Sequence, residues 1–376
     1  MEPKKVRLND GEGLTRREFI RDGAVVAAGM TVGINAPQNC AAQSDKQAEI
    51  RKTRSYNPEM EYRRLGKTGL WVSAVCLGGH WKRLDKVVPG VFATKSWLSA
   101  RLNSEGFRKN RQAVISRCLE RGINYVDACT WEEVYAYSEA LNGRRDKMYF
   151  GFSWYQEEMR NKQFRTARSL LKTLDKGMQL AKLEYVDLWR IVMIDASSKH
   201  SNAEVDEMIK ALEESKKQGK VRFMGLSSHD RPHVKWMIET YPETIQVVVM
   251  PYTAKSKVLP EDSLFDAVKK YDVGFLGIKP FASNSLFKGD GSPDGPHAAE
   301  DDRLARMAIR YILCNPAVTA PIPGLATTHH VDNMAKAVKE HRELDTAEAR
   351  ELDQAMNKAW ARLPHDYQWL KNWEYV

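Results

Sequence analysis

Cysteine is scarce in this chain, and its arrangement excludes more than its number does. There are five in 376 residues: Cys40, Cys76, Cys118, Cys129 and Cys314. No two stand as Cys-x-x-Cys and none has a metal-type spacing, so iron–sulfur and zinc readings fail and no metal is expected. Cys76, Cys118 and Cys314 fall in apolar strand or helix patterns and read as buried thiols. A Gly-x-Gly-x-x-Gly fingerprint is missing as well. That removes the usual nucleotide loop of an open doubly wound sheet, the runner-up fold. The formal net charge is +9, but lysine and arginine are spread among acids. With no zinc-finger or RNP-like signature beside it, this mild basicity predicts a solvated surface and no nucleic-acid partner.

What the N-terminus does contain is an address. Thr15-Arg16-Arg17-Glu18-Phe19-Ile20 resembles a twin-arginine export signal, and the weakly apolar run Gly23–Met30 follows it. That run is too short and too glycine-rich to span a bilayer stably. Cys40-Ala41-Ala42 offers a poor cleavage site, and Cys40 lacks the small apolar residues that precede a lipidated cysteine. The expectation is a signal over residues 1–42, a linker over 43–59, and an exported protein with no membrane association once the signal is removed. Residues 1–42 hold six basic and five acidic residues, so +8 survives their loss. Export by this route carries folded proteins, which suits a chain loaded with a cofactor beforehand.

From Met60 onward, short apolar runs alternate with amphipathic stretches, the pattern of a parallel sheet with crossover helices. Gly66-Lys67-Thr68-Gly69 sits between two short alternating pieces and predicts a β-hairpin. The uncharged run Val72–Leu77, ending in Gly78-Gly79, predicts a fully buried first strand. Further strands are expected at 124–127, 147–152, 185–193, 221–226, 245–250, 274–278 and 318–322. Helices are expected at 107–121, 166–183, 202–218, 303–314 and 331–339. The basic and aromatic stretch 81–106 reads as a long loop after the first strand. A closing helix over 346–362 and the aromatic tail His365–Trp373 complete the chain. The fold class predicted is α/β, a (β/α)8 TIM barrel over 60–345, with an N-terminal hairpin and a C-terminal helical tail over 346–376.

MEYRRLGKTGLWVSAVCLGG (60–79) and GINYVDACTWEEVYAYSEAL (122–141) resemble the aldo/keto reductases. The resemblance covers roughly Met60 to Glu340. It implies a nicotinamide cofactor, NADP or NAD, on the barrel's active-site face, and a small-molecule carbonyl, alcohol or sugar-like substrate. It also implies an Asp ending the second strand, a Tyr soon after, a Lys ending the third and a His ending the fourth. Asp127 matches the first. The tyrosine position holds Glu132, and Tyr135 or Tyr137 takes the role only if the loop carries an insertion, with Tyr135 favoured. The lysine is replaced by Ser153 and the histidine by Val192.

Side chains alternate along a strand, so Arg190 points the same way as Val192, into the barrel. A buried guanidinium requires an anion, and Asp127 or Glu132 supplies it. Arg190 then replaces the lysine as charge partner, or the pair simply plugs the barrel. His80, directly after the first strand, is a substitute acid or base, and His229 is a second candidate. The cofactor half resembles the family more closely. Ser227 and Ser228 correspond to its amide-binding pair, Lys279 and Ser283 to the loop over the pyrophosphate, and Gly324 and Thr327 to the phosphate-binding entry of a helix. Val249 and Ile278 replace the family's glutamine and stacking tyrosine. The expected activity is hydride transfer with a non-standard proton-transfer set. The alternatives are a lapsed barrel serving as a binding or interaction module, or an unrelated lyase or isomerase on the same scaffold. Oligomeric state is not encoded in any of these features.

Overall fold

A computed structural model describes residues 45–256 and 262–371. The export signal expected over 1–42 lies outside those residues. The chain enters the fold through a hairpin, β1 (Tyr62–Arg64) and β2 (Trp71–Ser73), paired antiparallel around a turn at Gly66–Thr68. Gly69 closes that turn with a φ of 69°, a left-handed conformation that glycine adopts without a steric penalty. The hairpin plugs one end of a barrel, because Leu65, Leu70 and Val72 join Cys76, Tyr125, Leu188, Val249 and Leu276 in a single inner core.

Seven parallel strands follow in sequence order: β3 (Tyr125–Asp127), β4 (Tyr149–Phe152), β5 (Val186–Val192), β6 (Val221–Ser227), β7 (Val247–Pro251), β8 (Gly274–Ile278) and β9 (Ala320–Ile322). The eighth stave is the uncharged run 76–78. Leu77 N–H donates to Tyr125 O at 2.9 Å, while Cys76 and Gly78 donate to Pro321 and Pro323 carbonyls at 3.0 and 2.8 Å. This segment therefore bonds both the first and the last parallel strand, and the cylinder closes. Closure satisfies backbone groups that an open edge would leave unpaired. The predicted (β/α)8 barrel is the fold observed.

After a single turn of helix at Leu84–Val87, the longer helices are α1 (Glu105–Glu120), α2 (Trp131–Ala140), α3 (Ala167–Leu180), α4 (Asn202–Lys217), α5 (Arg231–Thr240), α6 (Leu264–Lys270), α7 (Ala298–Leu313), α8 (Thr328–Lys339) and α9 (Thr346–Ala361). They cover the outside of the sheet, and a second, larger apolar core fills the layer between. Among the described residues, no helix is long and apolar enough to cross a membrane. Two features shape the mouth at the strands' C-terminal ends. Helix α2 starts almost at once after β3, because Thr130 Oγ1 accepts the Glu133 N–H at 3.2 Å and caps it. After α9 the tail turns back as a 3-10 helix, His365–Lys371, and buries Leu370 near Leu363 and Ala282.

Candidate active site

Strand alternation brings Asp127 and Arg190 together across the barrel interior. Arg190 Nε donates to Asp127 Oδ1 at 2.9 Å, and Nη2 donates to Oδ2, a two-pronged pair. The arginine is 2% exposed and the aspartate 4%. Burial works against the guanidinium's charge, but Asp127 outweighs it and drives the pKa of Arg190 up. Arg190 therefore releases no proton. With Asp127 it forms a buried ion pair.

A residue not singled out from the sequence bonds to both positions where the family resemblance implies a lysine and a histidine. Glu158 is fully buried, and its carboxylate accepts from Ser153 Oγ at 2.5 Å, Trp154 N–H at 3.1 Å, Trp189 Nε1 at 3.0 Å and Val192 N–H at 2.8 Å. Ser153 and Val192 are the two positions where the family resemblance implies Lys and His. Desolvation pushes the Glu158 pKa up despite those four donors. Strands β4 and β5 are thus tied together at their C-terminal ends by one carboxylate from the loop after β4. Nothing in the local sequence periodicity marks it.

Beside the ion pair lies a second cluster. His80 has a φ of 57°, unusual for a residue with a Cβ, and its ring packs on Trp97 with centroids 4.4 Å apart. Glu133 Oε1 accepts both the His80 N–H, at 2.6 Å, and a hydrogen bond with His80 Nδ1 at 2.9 Å. Glu133 Oε2 accepts the Cys129 N–H at 2.7 Å. Burial raises the pKa of Glu133, but His80 and these amides outweigh it and hold the carboxyl below its usual range. Gly79 is a glycine by necessity here, since a Cβ would lie 2.0 Å from Glu133 Oε1. Cys129 Sγ stands 3.9 Å from His80 Nδ1.

The tyrosines go elsewhere. The Tyr135 hydroxyl reaches Asn103 Oδ1 at 3.3 Å and contacts none of the groups above among the described hydrogen bonds. Tyr137 is buried, accepts from Trp81 Nε1 at 3.0 Å and donates to Gly78 O at 2.7 Å. Glu132, where the family resemblance implies a tyrosine, leaves its Oε2 buried with no hydrogen-bond partner among the described residues. It does not pair with Arg190.

The residues expected to hold a cofactor separate into two groups. Gly324 borders a cleft that runs from His80 past Lys82 and Arg83 to Asn284 and His330, and Thr327 stands one residue beyond its lining residue Ala326. Thr327 caps α8 by accepting the His330 N–H at 3.1 Å. Gly324 bridges Gly78, and a Cβ there would meet Gly79 O at 2.4 Å, so barrel closure alone accounts for this glycine. The other group lies under the tail. Lys82 Nζ donates to Ser283 Oγ at 2.7 Å and to the Tyr367 hydroxyl at 3.2 Å. Lys279 Nζ is 3.3 Å from His229 Nε2, and Trp369 stacks on His229 at 4.1 Å. Ser227 and Ser228 are buried, and the Ser228 hydroxyl donates to Ser197 Oγ at 2.8 Å.

Burial, followed by the neighbouring Lys279 charge, lowers the His229 pKa to about 4 from 6.5. Unfolded chains take up this proton as pH falls through 6.5, and the folded chain resists until about 4. Stability is therefore lost across that window by roughly 1–3 kcal/mol. Urea unfolding of the wild type and His229→Asn between those pH values is the check, and the variant is expected to give the flatter profile.

With this geometry in view, the relatives are informative. The model of the aldo/keto reductase family matches residues 101–304, more than half of the chain. L-galactose dehydrogenase of Arabidopsis thaliana is 21% identical over 306 residues, covering 75% of this chain and 89% of that one. In fold, the chain resembles the holo form of an aldo-keto reductase from Bacillus halodurans, with a TM-score of 0.55 and 22% identity over 79% of this chain and 96% of that one. It also resembles an aldo/keto reductase from Klebsiella pneumoniae in complex with NADP and acetate, with a TM-score of 0.55 and 16% identity over 78% and 95%. The chain belongs to the aldo/keto reductase family, a family of oxidoreductases.

Proposed function

We propose that this member, exported by the twin-arginine route, exchanges a hydride between a nicotinamide cofactor and a small sugar-like carbonyl or alcohol. Its proton handling is moved to the loop after the first strand. The observation that carries this reading is the His80–Glu133 dyad at the barrel mouth. A buried carboxylate fixes the imidazole at 2.9 Å, while the ring stays 43% exposed on the cleft. An imidazole oriented by a carboxylate is an effective proton carrier for a carbonyl oxygen. Asp127 and Arg190 stand behind it as a fixed dipole. The sugar-like substrate class follows the activity for which the Arabidopsis L-galactose dehydrogenase is named.

The cleft suits the phosphate end of a dinucleotide. Lys82 and Arg83 supply positive charge, and the capped start of α8 supplies backbone amides. A bound nicotinamide would supply the two-electron carrier. The site makes no charge-based choice between NADP and NAD. His329 is bonded to Asp302 at 2.6 Å, and burial, then His329, pushes the His330 pKa down to about 4. The His330 ring is therefore not a cation for a 2′-phosphate near neutral pH, and His329 is engaged with Asp302.

One observation favours a second reading, a lapsed barrel that binds ligands. Trp369 lies stacked on His229, with Lys279 Nζ 5.6 Å from its ring, against the loop that would cover the cofactor. Nucleotide released on denaturing the natively exported protein would support the oxidoreductase. Stripped protein, titrated with NADPH and NADH by tryptophan fluorescence, should bind up to about tenfold more tightly as Trp369→Ala, since such a ring contact contributes ~0.5–1.5 kcal/mol. If neither protein responds up to ~1 mM nucleotide, the lapsed-barrel reading stands.

A further inference from the structure

The cluster that carries the proposed proton chemistry has a second capacity that spacing along the chain conceals. His80, Cys129 and Glu133 come from three separate places: the first-strand loop, the end of β3 and the first turn of α2. Their ligand atoms nevertheless lie within 4.8 Å of one another. We propose that His80, Cys129 and Glu133 form a mononuclear site for a divalent transition metal of the zinc type, with a fourth position open to the barrel mouth.

The chemistry of the donor set supports this. A thiolate, an imidazole and a carboxylate are the three ligand types that zinc takes, and three protein ligands with one open position mark a reactive rather than a structural site. The separations also suit it: Cys129 Sγ to His80 Nδ1 is 3.9 Å, and His80 Nδ1 to Glu133 Oε1 is 2.9 Å. Zinc bonds of ~2.0–2.3 Å span such gaps with small side-chain rotations.

Each ligand is also held from behind. Trp97 packs on the His80 ring, the Cys129 amide fixes the second Glu133 oxygen, and the Tyr155 N–H binds the Cys129 carbonyl at 3.1 Å. The left-handed backbone at His80 and the absence of a Cβ at Gly79 let the imidazole and carboxylate meet. Such strain is found where function requires a fixed geometry.

Electrostatics point the same way. The Glu133 carboxylate and a Cys129 thiolate would place negative charge directly on the position of the cation. His80 is partly exposed, which gives the ion a way in.

The inference deepens the proposed function at the same site. With an ion bound, His80 would serve as a ligand and the ion would supply Lewis-acid polarisation of the substrate oxygen, with solvent water at the exposed mouth giving the alcohol its proton. The binding test needs no nucleotide, so its failure and that of the hydride-transfer reading are distinguishable.

The test is a titration of the chelator-stripped chain with Co²⁺, which reports thiolate ligation by a charge-transfer band in the near ultraviolet. One equivalent should saturate the band, with proton release, and Zn²⁺ should displace the Co²⁺. Cys129→Ser should abolish the band, and His80→Gln should weaken binding by at least ~100-fold. His80→Gln alters a half-exposed side chain, so it serves as the control for folding should Cys129→Ser misfold. Absence of the band in the wild type overturns the site. So does a band that persists in Cys129→Ser, or a wild-type affinity unchanged in His80→Gln.

Discussion

Replacing Arg190 with methionine will lower the free energy of unfolding by about 3–5 kcal/mol, because Asp127 is then left charged, buried and unpaired. The aspartate is only 4% exposed, and both of its oxygens are bonded to the guanidinium. Urea unfolding followed by tryptophan fluorescence measures the loss. The informative companion is the double variant Asp127→Leu with Arg190→Met. Removing both charges removes the desolvation cost of both, so the double variant should recover most of the stability. If it does so and still binds nucleotide and cobalt like the wild type, the pair is a plug. If it folds but loses either ligand, the pair contributes to the site. A single Arg190→Met with unchanged stability and unchanged ligand binding would remove both roles.

Glu158→Ala should cost at least about 4 kcal/mol, the largest effect expected outside the ion pair. It orphans four donors at once: the Ser153 hydroxyl, the Trp154 and Val192 amides, and the Trp189 indole N–H. Each buried donor without a partner costs ~1–3 kcal/mol. Glu158→Gln keeps one acceptor oxygen and should cost less. Its pH dependence gives the sharper readout. Burial raises the folded pKa of Glu158 above 4.5, so the folded chain holds this proton more tightly than the unfolded chain. The stability this contributes is present below 4.5 and is lost as pH rises through the folded value. Wild type should therefore lose ground to Glu158→Gln as pH rises above 4.5. A difference between the two that is independent of pH would show that Glu158 does not titrate differently in the fold.

These two residues divide the question of what was readable in advance. Asp127 and Arg190 were legible, because a strand has a period of two and both residues sit in apolar runs of recognisable strand length. An acid and a base on inward positions of a barrel have few partners other than each other. Glu158 was not legible. It belongs to an irregular loop, and only the closing of β4 against β5 carries Ser153, Trp189 and Val192 to it. The same holds for Tyr135. Its sequence context resembles a catalytic tyrosine, but the Thr130 cap starts α2 so early that the hydroxyl turns to Asn103.

The sequence by itself determined the barrel, the order of its strands, the hairpin that plugs one end and the positions of the strand ends that form the mouth. Hydrophobic period and turn chemistry are local properties, and a closed parallel barrel repeats them eight times. Tertiary structure alone decided the contents of the mouth. His80 meets Glu133 from 53 positions away, and Arg190 meets Asp127 from 63. Trp369 of the tail stacks on His229 of the loop after β6. Such contacts join loops and strand ends across the barrel, and loops carry no periodic signal that would announce a partner. They form because a buried charge or a half-buried ring must find a complement wherever the completed fold places one.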